Sequence, residues 1–317
     1  MRWLAAMLFS ALAGQASAQD WPQRPVRMLV GFGAGGGTDI LARVVAPAMG
    51  SALGQPVVIE NRPGAGGSIA ANQVAKSAPD GYTAFLLNNG HAVSAVMMRS
   101  LPFHPVDDFQ PVSMVATMPL VILAGPRAGF GSLQGLIDVA RLNPDKLNLA
   151  SVGIGSTQHF AAELFFNSAA IRVVHVPYKG TPNAVAATIS NETQLLVETL
   201  GPVIGQIRGQ AVQALAVTSA TRFPGLPNLP TAAEAGLPGY DVTTWYALVF
   251  PAKTPAAIVE KTRAALRAAL AREDVQKLMI NAAFLPSEST PGELAAHMRA
   301  EIARWGGVRD KAGIKLE

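Results

Sequence analysis

From Val26 onward, short runs of branched apolar residues alternate with helix-length amphipathic stretches, and this alternation restricts the chain to an α/β fold with largely parallel sheets. Strands are expected at Val26–Val30, Val57–Glu60, Thr83–Leu87, Val112–Val115, Leu120–Ala124, Leu147–Ala150, Arg172–Val176, Gln194–Val197, Gln213–Val217 and Ala247–Phe250. Helices are expected near Asp39–Met49, Ser68–Ala75, Ser132–Leu142, Thr157–Asn167 and Asn183–Ser190. Beyond Pro255 the pattern turns to nearly continuous helix. Ile258, Thr262, Ala265, Leu266, Ala269 and Leu270 recur on one helical face, and Thr290 is positioned to cap a helix running from Pro291 to Trp305.

The first strand runs straight into Gly31-Phe32-Gly33-Ala34-Gly35-Gly36-Gly37-Thr38-Asp39, which opens a helix. Read literally, Gly31, Gly33 and Gly36 satisfy a dinucleotide fingerprint, with Glu60 ending the second strand where a ribose-binding acid would stand. That reading, a secreted Rossmann-like oxidoreductase, is opposed by the additional Gly37 and by Asp39, a negative charge in the turn where a pyrophosphate would lie. Glycines also let backbone N–H groups turn inward, and a helix start adds unpaired donors and about half a positive charge. Such a loop is suited to a carboxylate. It is equally a tight turn in which Thr38 or Asp39 does no more than cap the helix.

Gly153-Ile154-Gly155-Ser156-Thr157-Gln158-His159 repeats this arrangement between a later strand and helix, with His159 either a ligand contact or an ordinary packing residue. Asn88-Asn89-Gly90-His91, Pro177-Tyr178-Lys179-Gly180-Thr181-Pro182 and Glu198-Thr199-Leu200-Gly201-Pro202 are further polar strand ends. Ligands of parallel sheets collect beyond such ends, so a cleft between lobes is expected. Catalytic motifs are wanting. There is no G-x-S-x-G elbow, no H-E-x-x-H and no cysteine nucleophile, and the five histidines have no metal-ligand spacing.

Met1-Arg2, the apolar stretch Trp3 to Ala13 and Ala16-Ser17-Ala18 form a secretory signal, too short to span a bilayer and cleavable near Ala18. Removing 18 of 317 residues leaves 299, enough for two domains. Without cysteine there is neither a lipid attachment site nor a disulfide. The net charge of +4 is scattered, which favours small anions over nucleic acid. No later apolar run reaches the roughly 18 residues of a membrane span.

The segments Trp21–Arg27, Gly35–Asp39, Gly54–Gly67 and Pro79–Thr83 resemble the Bug (TctC-like) family, the periplasmic substrate-binding subunits of tripartite tricarboxylate transporters. His175–Gly180, Pro230–Gly236 and Glu301–Trp305 extend the resemblance across nearly the whole mature chain. Its most specific part is the run Glu60-Asn61-Arg62-Pro63-Gly64-Ala65-Gly66-Gly67, in which Arg62 and Glu60 read as a scaffold ion pair or a partner-facing surface. The resemblance implies a two-lobed periplasmic-binding-protein (Venus flytrap) fold with a hinge and an interdomain cleft. Lobe 1 would comprise residues 19–124 and 246–317, and lobe 2 residues 125–245. It further implies a periplasmic monomer that delivers a small carboxylate (a di- or tricarboxylate, an aromatic acid or an amino acid) to a two-component membrane transporter. No cofactor and no chemistry on the ligand are implied. A sensory receptor would share the same binding physics.

Carried over by position, the resemblance assigns ligand contacts to the first loop through Phe32, Ala34, Gly36, Gly37, Thr38 and Asp39, and to the turn Gly155-Ser156-Thr157 with His159 behind it. Asn88, Asn89 and His91 would line the first lobe and Thr199 the second. The presumed cleft motifs hold no arginine, so the carboxylate is expected to be held by backbone N–H groups of Gly36, Gly37 and Thr38, helped by Ser156 and Thr157. Lys179 is the competing cation.

Overall fold

Four of the five residues of β1 (Val26–Val30) are buried, as a strand covered by helices on both faces requires. This computed structural model describes residues 21–316, so the expected signal peptide lies outside the described residues. β1 pairs in parallel with β2 (Val57–Asn61) and with β3 (Thr83–Asn88), placing Val26 opposite Val57 and Arg27 opposite Thr83. The crossovers are α1 (Gly37–Leu53) and α2 (Ser68–Ala75). α1 stops where Gly54 adopts φ 75° and returns its N–H to the Gly50 carbonyl, a left-handed cap open to glycine at no steric cost. α3 (Gly90–Met97) follows β3 directly.

The 16-residue β4 (Phe109–Ala124) joins two sheets. Its first part runs antiparallel to β9 (Thr243–Pro251), from Phe109 opposite Pro251 to Pro119 opposite Thr243. From Leu120 to Ala124 it pairs instead with β7 (Leu195–Thr199) and β8 (Gln213–Val217). β9 also pairs with β3, completing the first sheet. In the second, β7 pairs in parallel with β5 (Asn148–Ser151), and β5 with β6 (Val174–Pro177). The helices of this lobe are α4 (Leu133–Leu142), α5 (Thr157–Ala169), α6 (Thr181–Ser190) and α7 (Leu200–Arg208).

The sequence pattern gives two strands here, Val112–Val115 and Leu120–Ala124, with Pro119 between them. The structure keeps one strand, with register shifts near Pro111 and between Met114 and Ala116 that accommodate the irregularity. The expected lobe boundaries fall at the far end of β4 and inside β9, whereas the pairing changes partner earlier, between Pro119 and Leu120. Both chain crossings therefore lie side by side. Thr218, fully buried, clasps them: its Oγ1 accepts from the Leu120 N–H at 2.9 Å and donates to the Val242 carbonyl at 2.6 Å.

Two buried apolar clusters cover opposite faces of the joined sheets, so there is not one core per lobe. Leu120 and Ile122 of β4 point into one with Phe85, Phe160 and Trp305, while Val121 and Leu123 point into the other with Leu86, Phe250 and Phe284. This is the two-residue alternation of a strand. The C-terminal region supplies α8 (Ala256–Leu270), α9 (Glu273–Asn281), the short β10 (Leu285–Pro286) on β4, and α10 (Pro291–Ala312). A capping box opens α10, with Thr290 Oγ1 accepting from the Glu293 N–H and the Glu293 carboxylate accepting from the Thr290 N–H. α10 packs on both α3 and α5. Its Trp305 is fully buried and lies edge-on to Phe160, centroids 6.0 Å apart.

Candidate ligand-binding site

Where β1 and β5 end, each chain turns through glycine into a helix, and the two turns face one cavity of about 770 Å³ between the lobes. The first-lobe wall includes Phe32, Gly36, Gly37, Thr38, Asn88 and Asn89, and the second-lobe wall Gly155, Ser156, Thr157 and Thr199. No lining residue carries a charged side chain, and Lys179 is not among them.

Gly36 caps α1 with an extended backbone and no side-chain cap bond. Its N–H is committed to the Gly33 carbonyl at 3.2 Å, so the N–H groups of Gly37, Thr38 and Asp39 are left without partners among the described residues, and of these Gly37 and Thr38 line the cavity. In the second lobe Ser156 caps α5. Its Oγ accepts from the His159 N–H at 3.1 Å and donates to the Gly153 carbonyl at 2.8 Å, which leaves the N–H groups of Thr157 and Gln158 free at that helix start. Asn89 Nδ2 donates to Thr157 Oγ1 at 3.3 Å across the cleft, and Asn88 Nδ2 donates to Thr38 Oγ1 at 3.1 Å. Two helix N-termini, one per lobe, thus present unpaired donors and positive dipole ends to one space.

Four of the expected residues lie outside the cavity lining, for distinct reasons. Ala34 is at the exposed tip of the loop. Asp39 is buried and braces the loop from behind: its carboxylate accepts from the Gly35 N–H at 2.8 Å, Arg43 Nε at 2.9 Å and Asn61 Nδ2 at 3.0 Å. The Arg43 hydrogen bond, with help from Gly35 and Asn61, brings its pKa down to about 2. His91 is enclosed by Phe85, Phe103 and Phe109, its Nε2 2.7 Å from the Pro105 carbonyl, and burial lowers its pKa. His159 lies under its loop, accepting the Gly155 N–H at Nδ1 and stacking on His175 at 4.1 Å.

Other residues gain importance only in three dimensions. Tyr246 of β9 lines the cavity close enough to α1 that a Cβ on Gly37 would stand 3.3 Å from its hydroxyl. Burial pushes its pKa up to about 12, so it stays a donor. Val93, Met97, Met98, Met118 and Phe284 form an apolar wall. Behind the second-lobe wall sits Glu198, fully buried, its Oε1 accepting from Gln158 Nε2 at 2.6 Å and from the Thr199 N–H and hydroxyl at 2.7 and 2.9 Å, while Oε2 accepts from Thr181 Oγ1 at 2.8 Å. Desolvation raises its pKa, and these bonds act in the opposite direction.

The dinucleotide reading finds no support in this geometry. Gly31 serves close packing, since a Cβ there would meet the Gly67 Cα at 2.7 Å. Glu60 is engaged by Arg27 and by Arg62, the latter through Nε at 2.7 Å, so the ion pair expected between Arg62 and Glu60 is present. Among the described residues no cluster of three or more histidine, cysteine or acidic side chains could hold a metal, and no helix is long and apolar enough to cross a membrane.

A two-lobed α/β fold with a cavity between its lobes and polar strand ends around it is the architecture of a periplasmic binding protein. The chain matches the model of the tripartite tricarboxylate transporter family receptor over residues 41–314, and it belongs to that family. It is 36% identical to the protein BugT of Bordetella pertussis over 98% of this chain and 97% of that one. Among solved structures it is similar to a Rhodopseudomonas palustris protein in complex with adipate, at 35% identity and TM-score 0.83 over 94% of this chain and all of that one. It is also similar to MatC of Rhodopseudomonas palustris with bound malate, at 33% identity and TM-score 0.77 over 91% and 99% of the two chains.

Proposed function

We propose that this chain is a periplasmic solute receptor, exported on a signal cleaved near Ala18, that captures a small carboxylate between its lobes and passes it unchanged to a two-component membrane transporter. One observation supports the reading: Gly37 and Thr38 of α1 and Thr157 and Gln158 of α5, whose N–H groups have no partner among the described residues, line one cavity that no charged side chain lines. An anion there is neutralised by helix starts and hydroxyl dipoles. The adipate and malate held by the two relatives support a carboxylate as the ligand. Phe32, Asn88, Asn89 and Thr199 shape the space around it, and Tyr246 adds a donor from the shared strand β9.

The test is calorimetry with a panel of mono-, di- and tricarboxylates, aromatic acids and amino acids, each hit repeated as its primary amide. Hydrogen bonds to a charged group contribute roughly 1.5–3 kcal/mol each, so amidation of the held carboxylate should weaken binding by at least about tenfold. Equal affinity of acid and amide would overturn the reading. Uptake of the same compound, lost on deletion of this chain, would connect binding to transport.

A further inference from the structure

The second lobe's wall has a fixed hydrogen-bond polarity. Gln158, Thr181 and Thr199 all line the cavity, and each donates to the buried Glu198 carboxylate, the threonines with their hydroxyl proton and Gln158 with one of its two amide protons. A hydroxyl has one proton. With that proton committed, Thr181 Oγ1 and Thr199 Oγ1 have only lone pairs to offer a ligand. The Gln158 amide nitrogen faces Glu198, so its carbonyl oxygen, on the other side of the amide, is likewise an acceptor. Three acceptor oxygens backed by a buried carboxylate line this wall, while the helix starts of α1 and α5 supply donors elsewhere in the same cavity.

Building on the carboxylate-receptor reading, we propose that Glu198 is a specificity-determining residue that selects a carboxylate whose other polar end is a hydrogen-bond donor, a hydroxyl, amide or ammonium group, and rejects a second carboxylate. A carboxylate directed at these three side chains would set its oxygens against three acceptors, with the helix-start donors of the cavity already engaged by the first carboxylate. A donor-ended ligand meets three lone pairs, and an ammonium also meets the field of the buried acid. The apolar wall of Val93, Met97, Met98 and Met118 accommodates the carbon body between the two ends.

The experiment compares matched four- and six-carbon series by calorimetry on the mature protein: alkanoate, ω-hydroxy acid, ω-amino acid and dicarboxylate. In the native chain the ω-hydroxy and ω-amino acids should bind at least about tenfold more tightly than the dicarboxylate of the same length. Glu198→Gln, whose amide nitrogen in place of Oε2 can donate to Thr181 and so free the Thr181 hydroxyl proton for the cavity, should narrow that ratio. Should that variant fail to show cooperative unfolding, Thr181→Val and Thr199→Val give the same readout, since each deletes one acceptor and should lower the ratio. A dicarboxylate that binds the native chain as tightly as its hydroxy counterpart overturns the inference and leaves the carboxylate-receptor reading standing. An absence of binding throughout both series overturns the inference, and the wider panel with its amide controls decides the carboxylate-receptor reading separately.

Discussion

Asp39→Asn tests the brace behind the first glycine loop. The native carboxylate accepts three donors, from Gly35, Arg43 and Asn61, and is nearly inaccessible to solvent. An asparagine of the same shape keeps one acceptor oxygen and directs an NH₂ group at another donor, so it loses the ion pair and adds a donor–donor contact. The magnitude follows from linkage. The folded pKa of about 2 lies below the reference value of 3.8, and each pKa unit corresponds to about 1.4 kcal/mol, so the ionised form contributes on the order of 2 kcal/mol. Because the folded value is depressed, that contribution is fully present above about pH 4 and is lost as the pH falls through about 2. Thermal unfolding near neutral pH should show the variant melting roughly 3–4 °C below the parent for a chain of this size. The gap should close as the pH is lowered from 4 to 2. Affinity for a carboxylate ligand should fall as well, because Arg43 already neutralises Asp39 and the substitution removes order from the loop more than it removes repulsion. A melting gap unchanged between pH 7 and pH 2 would refute the brace account.

Two further outcomes follow from the same geometry. Thr218→Val leaves the Leu120 N–H and the Val242 carbonyl without their side-chain partner at the crossing between lobes. Denaturant titration should report a loss of about 1–3 kcal/mol, and an unchanged midpoint would show that the clasp contributes nothing. Lys179→Ala should leave carboxylate affinity within about twofold, because that side chain does not line the cavity. A large loss in calorimetry would restore the salt-bridge account in place of the backbone donors.

Local signals decided which parts of this architecture were legible beforehand. β1 and β8 fall where dense apolar runs meet glycine or polar borders, and their observed bounds coincide with the expected ones. α3 and α7 were not expected. α3 opens on Gly90 without a side-chain cap, and α7 contains Gly201, Pro202 and Gly205, so tertiary packing overrides weak helix propensity in both. Within the site, the glycine turns were legible because a strand that runs through glycines into a helix must expose N–H groups somewhere near its end. Which of them remain free was not. Only the fold shows that Gly36 is committed to Gly33, that the polar His91 and His159 turn into the protein, and that Glu198 orients three side chains from α5, α6 and β7.

The division of donors between lobes makes ligand capture and lobe closure one event in the proposed receptor. A carboxylate resting on α1 alone has the N–H groups of Gly37 and Thr38, and only approach of the second lobe adds those of Thr157 and Gln158. Two hydrogen bonds to a charged group, at roughly 1.5–3 kcal/mol each, favour the closed form by about two to four powers of ten. The direct link between Asn89 and Thr157 is a neutral bond of 3.3 Å, worth at most about tenfold. The ligand therefore dominates the balance, and the bridge lowers the cost of closing without replacing it. A charged side chain in the cavity would change that balance. An arginine held on one lobe could retain the anion with the other lobe open, whereas donors shared between the lobes release their ligand when the lobes part, as delivery to a transporter requires.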